Sequence, residues 1–472
     1  MNAAQPELNE ERFFNGFSLE WLEAWRFFLS GNPDIAREKW QMILERYPED
    51  LDVQVGIDLL NPKEHENESS TEEVKCHWRL GQSLRHLQRF SDAAEVYELC
   101  VAKQPTWMNA KMMRAFCLVA VGRTHEAIVY LNGVLETQPD LAIARKNLGL
   151  AYLAAGDLER GFAEYEYRFV DLNPPLANYP QPIWQGEACP RRGAGILLQC
   201  EQGLGDMIQF VRYAKLVQQR GFRVLLSVHA SLTNLFRSCR DIDVVVPHGL
   251  ELPPFDYRIS IMSLPRVMGT TLQTIPAEVP YLEPDHSRIA KWKKRLDEHV
   301  GFRVGIVWQG NPKHPFDHFR SIPLTAFEPV AEMPGVRLIS LQKNAGEEQL
   351  NSPGLPFEVI NFGETLDMDS LGQVFLDTAA IMKSLDLVIA CDTSIIHLAG
   401  ALAVPVWLGL GLASDWRWFR EREDSPWYPT LRIFRQRIPG DWTSVIDDMA
   451  RKLKQLDRYR NVRNCWPSKF QD

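Results

Sequence analysis

No two cysteines in this chain stand in a C-x-x-C arrangement; the eight present (Cys76, Cys100, Cys117, Cys189, Cys200, Cys239, Cys391 and Cys465) are scattered. That argues against a zinc ribbon or a disulfide framework and leaves small apolar side chains of a reducing compartment. Positive charge is also scarce. Lys and Arg number 52 against 61 Asp and Glu, a net charge of −9, so no broad nucleic-acid-binding face is expected, although a local basic pocket remains compatible. Apolar runs are short as well. The longest, Leu398 to Ala413, is interrupted by Pro405 and by glycines and falls below the ~20 residues needed to span a bilayer. The opening MNAAQPELNEERFF has neither the basic start nor the apolar core of a signal peptide. A cytoplasmic protein without a membrane span is expected.

What is present is ordinary globular composition, 45% hydrophobic and 24% charged over 472 residues. At ~150 residues per domain the length accommodates about three domains. A repeat organises the first third. Pro105 and Pro139 lie 34 residues apart, as do Ala93 and Ala127, and Tyr97 and Leu131. Gly81, Ala115 and Gly149 keep that step, as do Leu84, Leu118 and Tyr152. A small residue at a helix crossing, a large one on the next turn and a closing proline describe a helix–turn–helix repeat of tetratricopeptide length. A weaker copy ends at Pro48, with Ala36 and Trp40 in matching places, and the polar stretch 61–73 interrupts the array. Stacked units of this kind offer a concave face for an extended partner.

The five prolines of 172–193 mark a connection, after which the rhythm becomes strand–helix–strand. Strands are predicted at Ile196–Cys200, Val224–Val228 and Val244–Val246. A second series follows at 303–308, 337–342, 357–362, 386–391, 404–410 and 431–436, closed by an amphipathic helix over 441–459 with Asp441 near its start. The expected organisation is a repeat domain over 1–171 (clearest at 74–170), a linker at 172–194, and α/β domains at 195–300 and 301–472. Tandem α/β units place a ligand crevice at the carboxyl ends of their strands.

Four stretches carry candidate chemistry. In EQGLGD (201–206), Gly203 and Gly205 allow a tight turn and close approach of a ligand to backbone N–H groups. The dinucleotide fingerprint fails, because Ile208 replaces its third glycine; a plain strand–helix turn capped by Asp206 is the alternative. In CDTSIIHLAGA, Asp392, Thr393 and Ser394 open a helix whose free N–H groups suit a phosphate, with His397 one turn in; an ordinary capped turn and a core histidine are the alternatives. Asn311, Lys313, Arg320, Ser321, Gln342 and Lys343 follow strands and supply donors for a diphosphate, or belong to solvated loops. Trp416, Trp418, Trp427 and Tyr428 either stack on a sugar or base or lock a long loop. The D-x-D triplets at Asp241–Asp243 and Asp367–Asp369 read as strand-opening and capping acids, and Pro315 between His314 and His318 argues against a helical metal pair.

EQGLGD, VWQGNPKH, RSIPL, SLQK, CDTSIIHLAGA and DWRWF, in this order behind the repeats, resemble bacterial tetratricopeptide-repeat proteins with a glycosyltransferase family 9-like, heptosyltransferase-like domain. The resemblance implies a GT-B pair of Rossmann-like domains behind an α-solenoid. It also implies inverting transfer from a nucleotide-diphosphate sugar without metal, to a protein or glycan acceptor held by the repeat groove. By the same resemblance Asp206 takes the place of the general base. Asp392, Thr393 and His397 match the element that holds donor sugar and pyrophosphate, assisted by Ser394, Lys343 and Arg320 in place of a cation. A scaffold whose α/β half senses a nucleotide sugar or has lost turnover is the alternative.

Overall fold

The computed structural model describes residues 12–13, 17–18, 23–24, 27, 32–46 and 69–455, except 315, 369 and 371. Pro48, residues 61–68 of the interrupting stretch, Asp369 and the expected helix end at 456–459 lie outside the described residues. The chain divides into two compact units, residues 1–147 and 148–472.

The first unit contains helices α1 (Pro33–Arg46), α2 (Ser69–His86), α3 (Phe90–Lys103), α4 (Met108–Ala120) and α5 (Thr124–Thr137). The next helix, α6 (Ala142–Ala154), crosses the division. The 34-residue spacing has a packing cause. Ala93, Ala127, Tyr97 and Leu131 are fully buried, and Leu84 and Leu118 nearly so. Gly81 lies under the Tyr97 ring, where a Cβ would come within 2.6 Å of Cε1. Backbone geometry repeats as well. Gln104 and Gln138, each before the closing proline, take nearly the same conformation (φ −133°, ψ 80° and φ −139°, ψ 74°), off the helical region that proline disfavours in its predecessor. At the inter-helix turns Gln88, Gly122 and Gly156, again 34 apart, all have positive φ (58°, 84° and 84°).

The second unit opens with the end of α6 and with α7 (Leu158–Glu164), which runs into a 3₁₀ turn over Tyr165–Val170. This hairpin packs with the α/β half: Phe162 meets Phe210 and Trp416 edge-on, at centroid distances of 6.4 and 5.6 Å. The compact division therefore falls earlier than the change of sequence rhythm near 171, because these apolar side chains are buried against the sheets' helices.

The first sheet contains β1 (Gly195–Gln199), β2 (Arg223–Val228), β3 (Val244–Pro247) and β4 (Tyr257–Ser260), all parallel in the order β3-β2-β1-β4. Helices α8 (Leu204–Phe210) and α9 (Ala214–Gln219) follow β1. After α10 (His286–Leu296), the second sheet contains β5 (Phe302–Val307), β6 (Val336–Ser340), β7 (Leu387–Cys391), β8 (Val406–Leu410) and β9 (Leu431–Arg435), parallel in the order β9-β8-β7-β5-β6. Its helices include α11 (Leu376–Met382) before β7, α12 (Ser394–Ala401) after it and the terminal α13 (Trp442–Gln455). Strands β1, β7 and β8 are buried at every position, as helix cover on both faces demands of a parallel sheet. α13 buries Trp442, Val445, Ile446, Met449 and Leu453 at helical spacing, each side chain contributing about 1.5–3 kcal/mol.

Two expectations differ from the structure. The stretch 357–362 is not a strand: it touches β6 through a single bridge, Ile360 to Ile339, on an edge preceded by Pro353 and Pro356. β4 was not anticipated, because Arg258 and Ser260 interrupt its apolar pattern; Arg258 bonds Gln181 O and Asn178 Oδ1 at the sheet margin.

Candidate functional site

In the first sheet the strand order reverses between β1 and β4, and in the second between β5 and β7; such points leave crevices at the carboxyl ends. After β1 the chain turns through Gln202, in the left-handed region at φ 60°, into Gly203, the N-cap of α8. Asp206 Oδ2 accepts the Gly203 N–H at 2.9 Å, so the acid does cap this turn. Gly205 serves close approach: a Cβ there would sit 2.8 Å from His397 Cδ2 and 3.5 Å from the Ser394 Cα. α8 of the first sheet and the start of α12 from the second therefore meet directly.

After β7, Thr393 takes the extended N-cap conformation of α12 (φ −139°, ψ 174°) without a side-chain capping bond, and its hydroxyl is buried with no partner. Arg320 Nη1 donates to the Asp392 carbonyl at 2.9 Å, and Arg320 Nε to Asp317 Oδ1 at 3.0 Å. Ser321 Oγ donates to Asp317 Oδ2 and accepts from the Gly310 N–H. Arg320 and Ser321, expected as diphosphate donors or as part of a solvated loop, are thus tied around the buried carboxylate of Asp317 to the start of α12. His397 is a buried residue whose Nδ1 pairs with the Tyr428 hydroxyl at 2.9 Å and whose ring stacks on Trp418 at 5.5 Å. Burial, with Arg417 and Arg212 nearby, pushes its imidazole well below the usual range, so it stays neutral.

Arg417 joins the two sides. It ion-pairs with Asp206 Oδ1, bonds Gln209 Oε1 and makes two contacts with Asp415, at 2.9 and 3.0 Å. The Trp416 and Phe210 rings lie beside it, at 4.6 and 5.6 Å from its guanidinium carbon. Burial raises the Asp206 carboxyl above its usual range against the pull of Arg417, and the Asp206 side chain keeps 18% of its exposure. The Asp392 carboxyl is pushed up to about 6, by burial first and then by the Asp415 charge. Sequence reading passed over Arg417, whose only signal was its place between Trp416 and Trp418. It also passed over Arg212, which binds the Trp427 and Pro276 carbonyls and the Tyr281 hydroxyl.

The other expected donor-site residues are disposed differently. The Gln342 amide is consumed by backbone: Oε1 accepts from Trp308 and Gln309 N–H, and Nε2 donates to the Gln309 and Ala345 carbonyls. Lys343 Nζ donates to the Leu366 carbonyl at 2.8 Å and lies 3.8 Å from Asp367. Asn311 Oδ1 accepts the Lys313 N–H in an exposed turn. Among the described residues no hydrogen bond ties Asn311, Lys313 or Lys343 to α12. Asp243 caps the Val224 N–H at 2.7 Å, and Asp367 exchanges backbone–carboxylate bonds with Asp377. No group of three His, Cys, Asp or Glu side chains suited to a metal occurs among the described residues. No helix among them is long and apolar enough to cross a membrane.

At the first sheet's own switch point the crevice is occupied from within. Arg168, 2% exposed, reaches between β1 and β4 and pairs with Glu201 at 2.6 Å, with Ser260 and Ser263 hydroxyls at 3.1 and 2.9 Å. Ser260 also donates to Glu201, and Arg168 Nη1 meets Glu166 at 2.8 Å.

The tetratricopeptide repeat family model matches residues 118–177. The chain is 27% identical over 410 residues to Protein FlbA of Caulobacter vibrioides (strain ATCC 19089 / CIP 103742 / CB 15), covering 80% of this chain and 66% of that protein's length. Among solved structures it is similar to a glycosyl transferase family 9 protein from Veillonella parvula DSM 2008. There the TM-score is 0.40 at 10% identity, over 56% of this chain and 97% of the other. It is also similar to the E. coli ADP-heptose lps heptosyltransferase II, with a TM-score of 0.39 at 13% identity, over 55% and 99%.

Proposed function

We propose that the chain is a metal-independent inverting glycosyltransferase, moving a sugar from a nucleotide-diphosphate donor to a protein or glycan acceptor presented by the repeats. One observation carries this reading. A partly exposed carboxylate, Asp206, stands in the first turn of α8 next to Gly205, whose backbone lies against Ser394 and His397 of α12, and the buried Thr393 hydroxyl at the head of α12 has no partner. In this reading the acceptor hydroxyl attacks the anomeric carbon while its proton passes to Asp206. The bond from that carbon to the diphosphate oxygen breaks on the opposite face, and the oxygen keeps the electron pair. The α12 N–H groups, with Arg320 at the Asp392 carbonyl beside them, offset the charge that develops there.

A scaffold reading draws on a different observation: Arg320 and Arg417 are already engaged by Asp317, Asp206 and Asp415, and Gly205 abuts His397. Thermal unfolding across ADP-, UDP-, GDP- and CMP-linked sugars separates the two. A ligand at 100 times its Kd adds ~2.7 kcal/mol. The transferase reading expects such a shift with at least one diphosphate sugar, retained in Asp206→Asn while transfer is lost. Absence of any shift removes it in favour of the scaffold.

A further inference from the structure

Every nitrogen of the Arg417 guanidinium is engaged inside the protein, in four hydrogen bonds that involve four of its five N–H donors. Nε goes to Gln209, Nη1 to Asp415 and Nη2 to Asp206, on a side chain that keeps only 8% of its exposure. Its own segment fixes it. The Asp415 carboxylate accepts the Arg417 N–H at 3.0 Å, closing the turn, and Trp416 and Phe210 flank the guanidinium. Two of its partners, Asp206 and Gln209, lie on α8, whereas Arg417 and Asp415 follow β8. The guanidinium therefore fixes the Asp206 rotamer from the side of the second sheet. The Gly203 N–H holds one carboxylate oxygen and Arg417 the other. Each oxygen has two lone pairs, so both retain a site for an incoming proton.

We propose that Arg417 is the positioning residue of Asp206, holding its carboxylate ionised and aimed into the crevice while making no contact with substrate itself. The inference rests on the transferase reading given above. The charged and titratable groups around Asp206 are Arg417 and Asp415 from the turn after β8, Glu201 from its own loop, and Tyr165 from the 3₁₀ turn after α7. Among these Arg417 supplies the positive charge that favours the carboxylate; Asp415 and burial oppose it.

The test uses the full chain with ADP-glucose, UDP-N-acetylglucosamine and GDP-mannose as probes, following release of the nucleoside diphosphate against pH. R417Q is expected to lower kcat at least tenfold and to move the acid limb of kcat/KM upward by about one pH unit or more, because an opposite charge lowers a carboxyl pKa by 1–3 units. R417K keeps the charge and is expected to leave the limb near its wild-type position. A wild-type limb in R417Q, with D206N inactive, overturns the role of Arg417 and leaves the base reading standing. Wild-type turnover in D206N removes the base reading itself. A donor-free arm decides the matter should no probe turn over. In urea unfolding at pH 8, where Asp206 is ionised, R417Q and D206N are expected to be non-additive, the double variant losing less than the sum of the single variants, and strict additivity overturns the proposal.

Discussion

Replacing Arg168 by methionine isolates what the buried ion pair at the first switch point does. Methionine keeps the aliphatic stem but leaves Glu201, whose side chain is 1% exposed, without its cation. A carboxylate so placed protonates in preference to remaining charged. From a reference pKa of about 4.3, protonation at pH 7 costs about 2.7 units at 1.36 kcal/mol each, or ~3.7 kcal/mol. That agrees with the 3–5 kcal/mol seen when one partner of a buried pair is removed. The sign follows from proton counting. In the variant, folded Glu201 has a pKa above that of the unfolded chain, so the folded state binds more protons and loses stability as pH rises. The deficit relative to wild type should shrink to about 1 kcal/mol at pH 5, since only ~0.7 units then separate pH from the reference value. Urea denaturation of the full chain at pH 5, 6 and 7, followed by tryptophan fluorescence, measures it. The double variant R168M/E201L should recover most of the loss, because an apolar pair of similar volume often substitutes for a buried ion pair. A loss under ~1 kcal/mol at pH 7, or one that ignores pH, refutes the reasoning.

Gly205→Ala should lower stability by about 1–3 kcal/mol, because its methyl group lands 2.8 Å from the buried His397 ring; calorimetry reads the change in Tm. Gln88 holds φ 58° where the later repeats place glycine, so Gln88→Gly should gain about 0.5 kcal/mol. That is the left-handed penalty less the entropy glycine adds to the unfolded chain, and denaturant midpoints resolve it. Asp392→Asn should stabilise the protein by up to about 3 kcal/mol above pH 6. The folded carboxyl titrates near 6 against ~3.9 unfolded, so the gain fades as pH falls through that window; Tm measured from pH 4 to 8 tests it.

The repeat was legible in the sequence because each unit meets its neighbours in the same way. Ala93 and Ala127, or Gly81 beneath Tyr97, answer a local packing need that recurs every 34 residues. The parallel strands were legible for a similar reason: burial on both faces forces unbroken apolar runs such as Leu387–Cys391 and Val406–Leu410. β4 escaped because its Arg258 and Ser260 obey partners far along the chain, and 357–362 misled because an alternating pattern does not supply a neighbouring strand with matching N–H groups.

For the site, sequence alone fixed which residues occupy the two strand–helix turns, since glycines and capping acids respond to local backbone geometry. Asp206 at the Gly203 N–H is of that kind, and Thr393 holds the N-cap position of α12 by its extended backbone alone. Partners were decided only by tertiary structure. Arg417 lies 211 positions from Asp206 and Arg168 lies 33 from Glu201, and each pairing is set by where the sheets bring their loops. The Gln342 amide was spent on backbone carbonyls and N–H groups for the same reason: a buried polar group bonds whatever the fold sets beside it, and no local pattern records that neighbour.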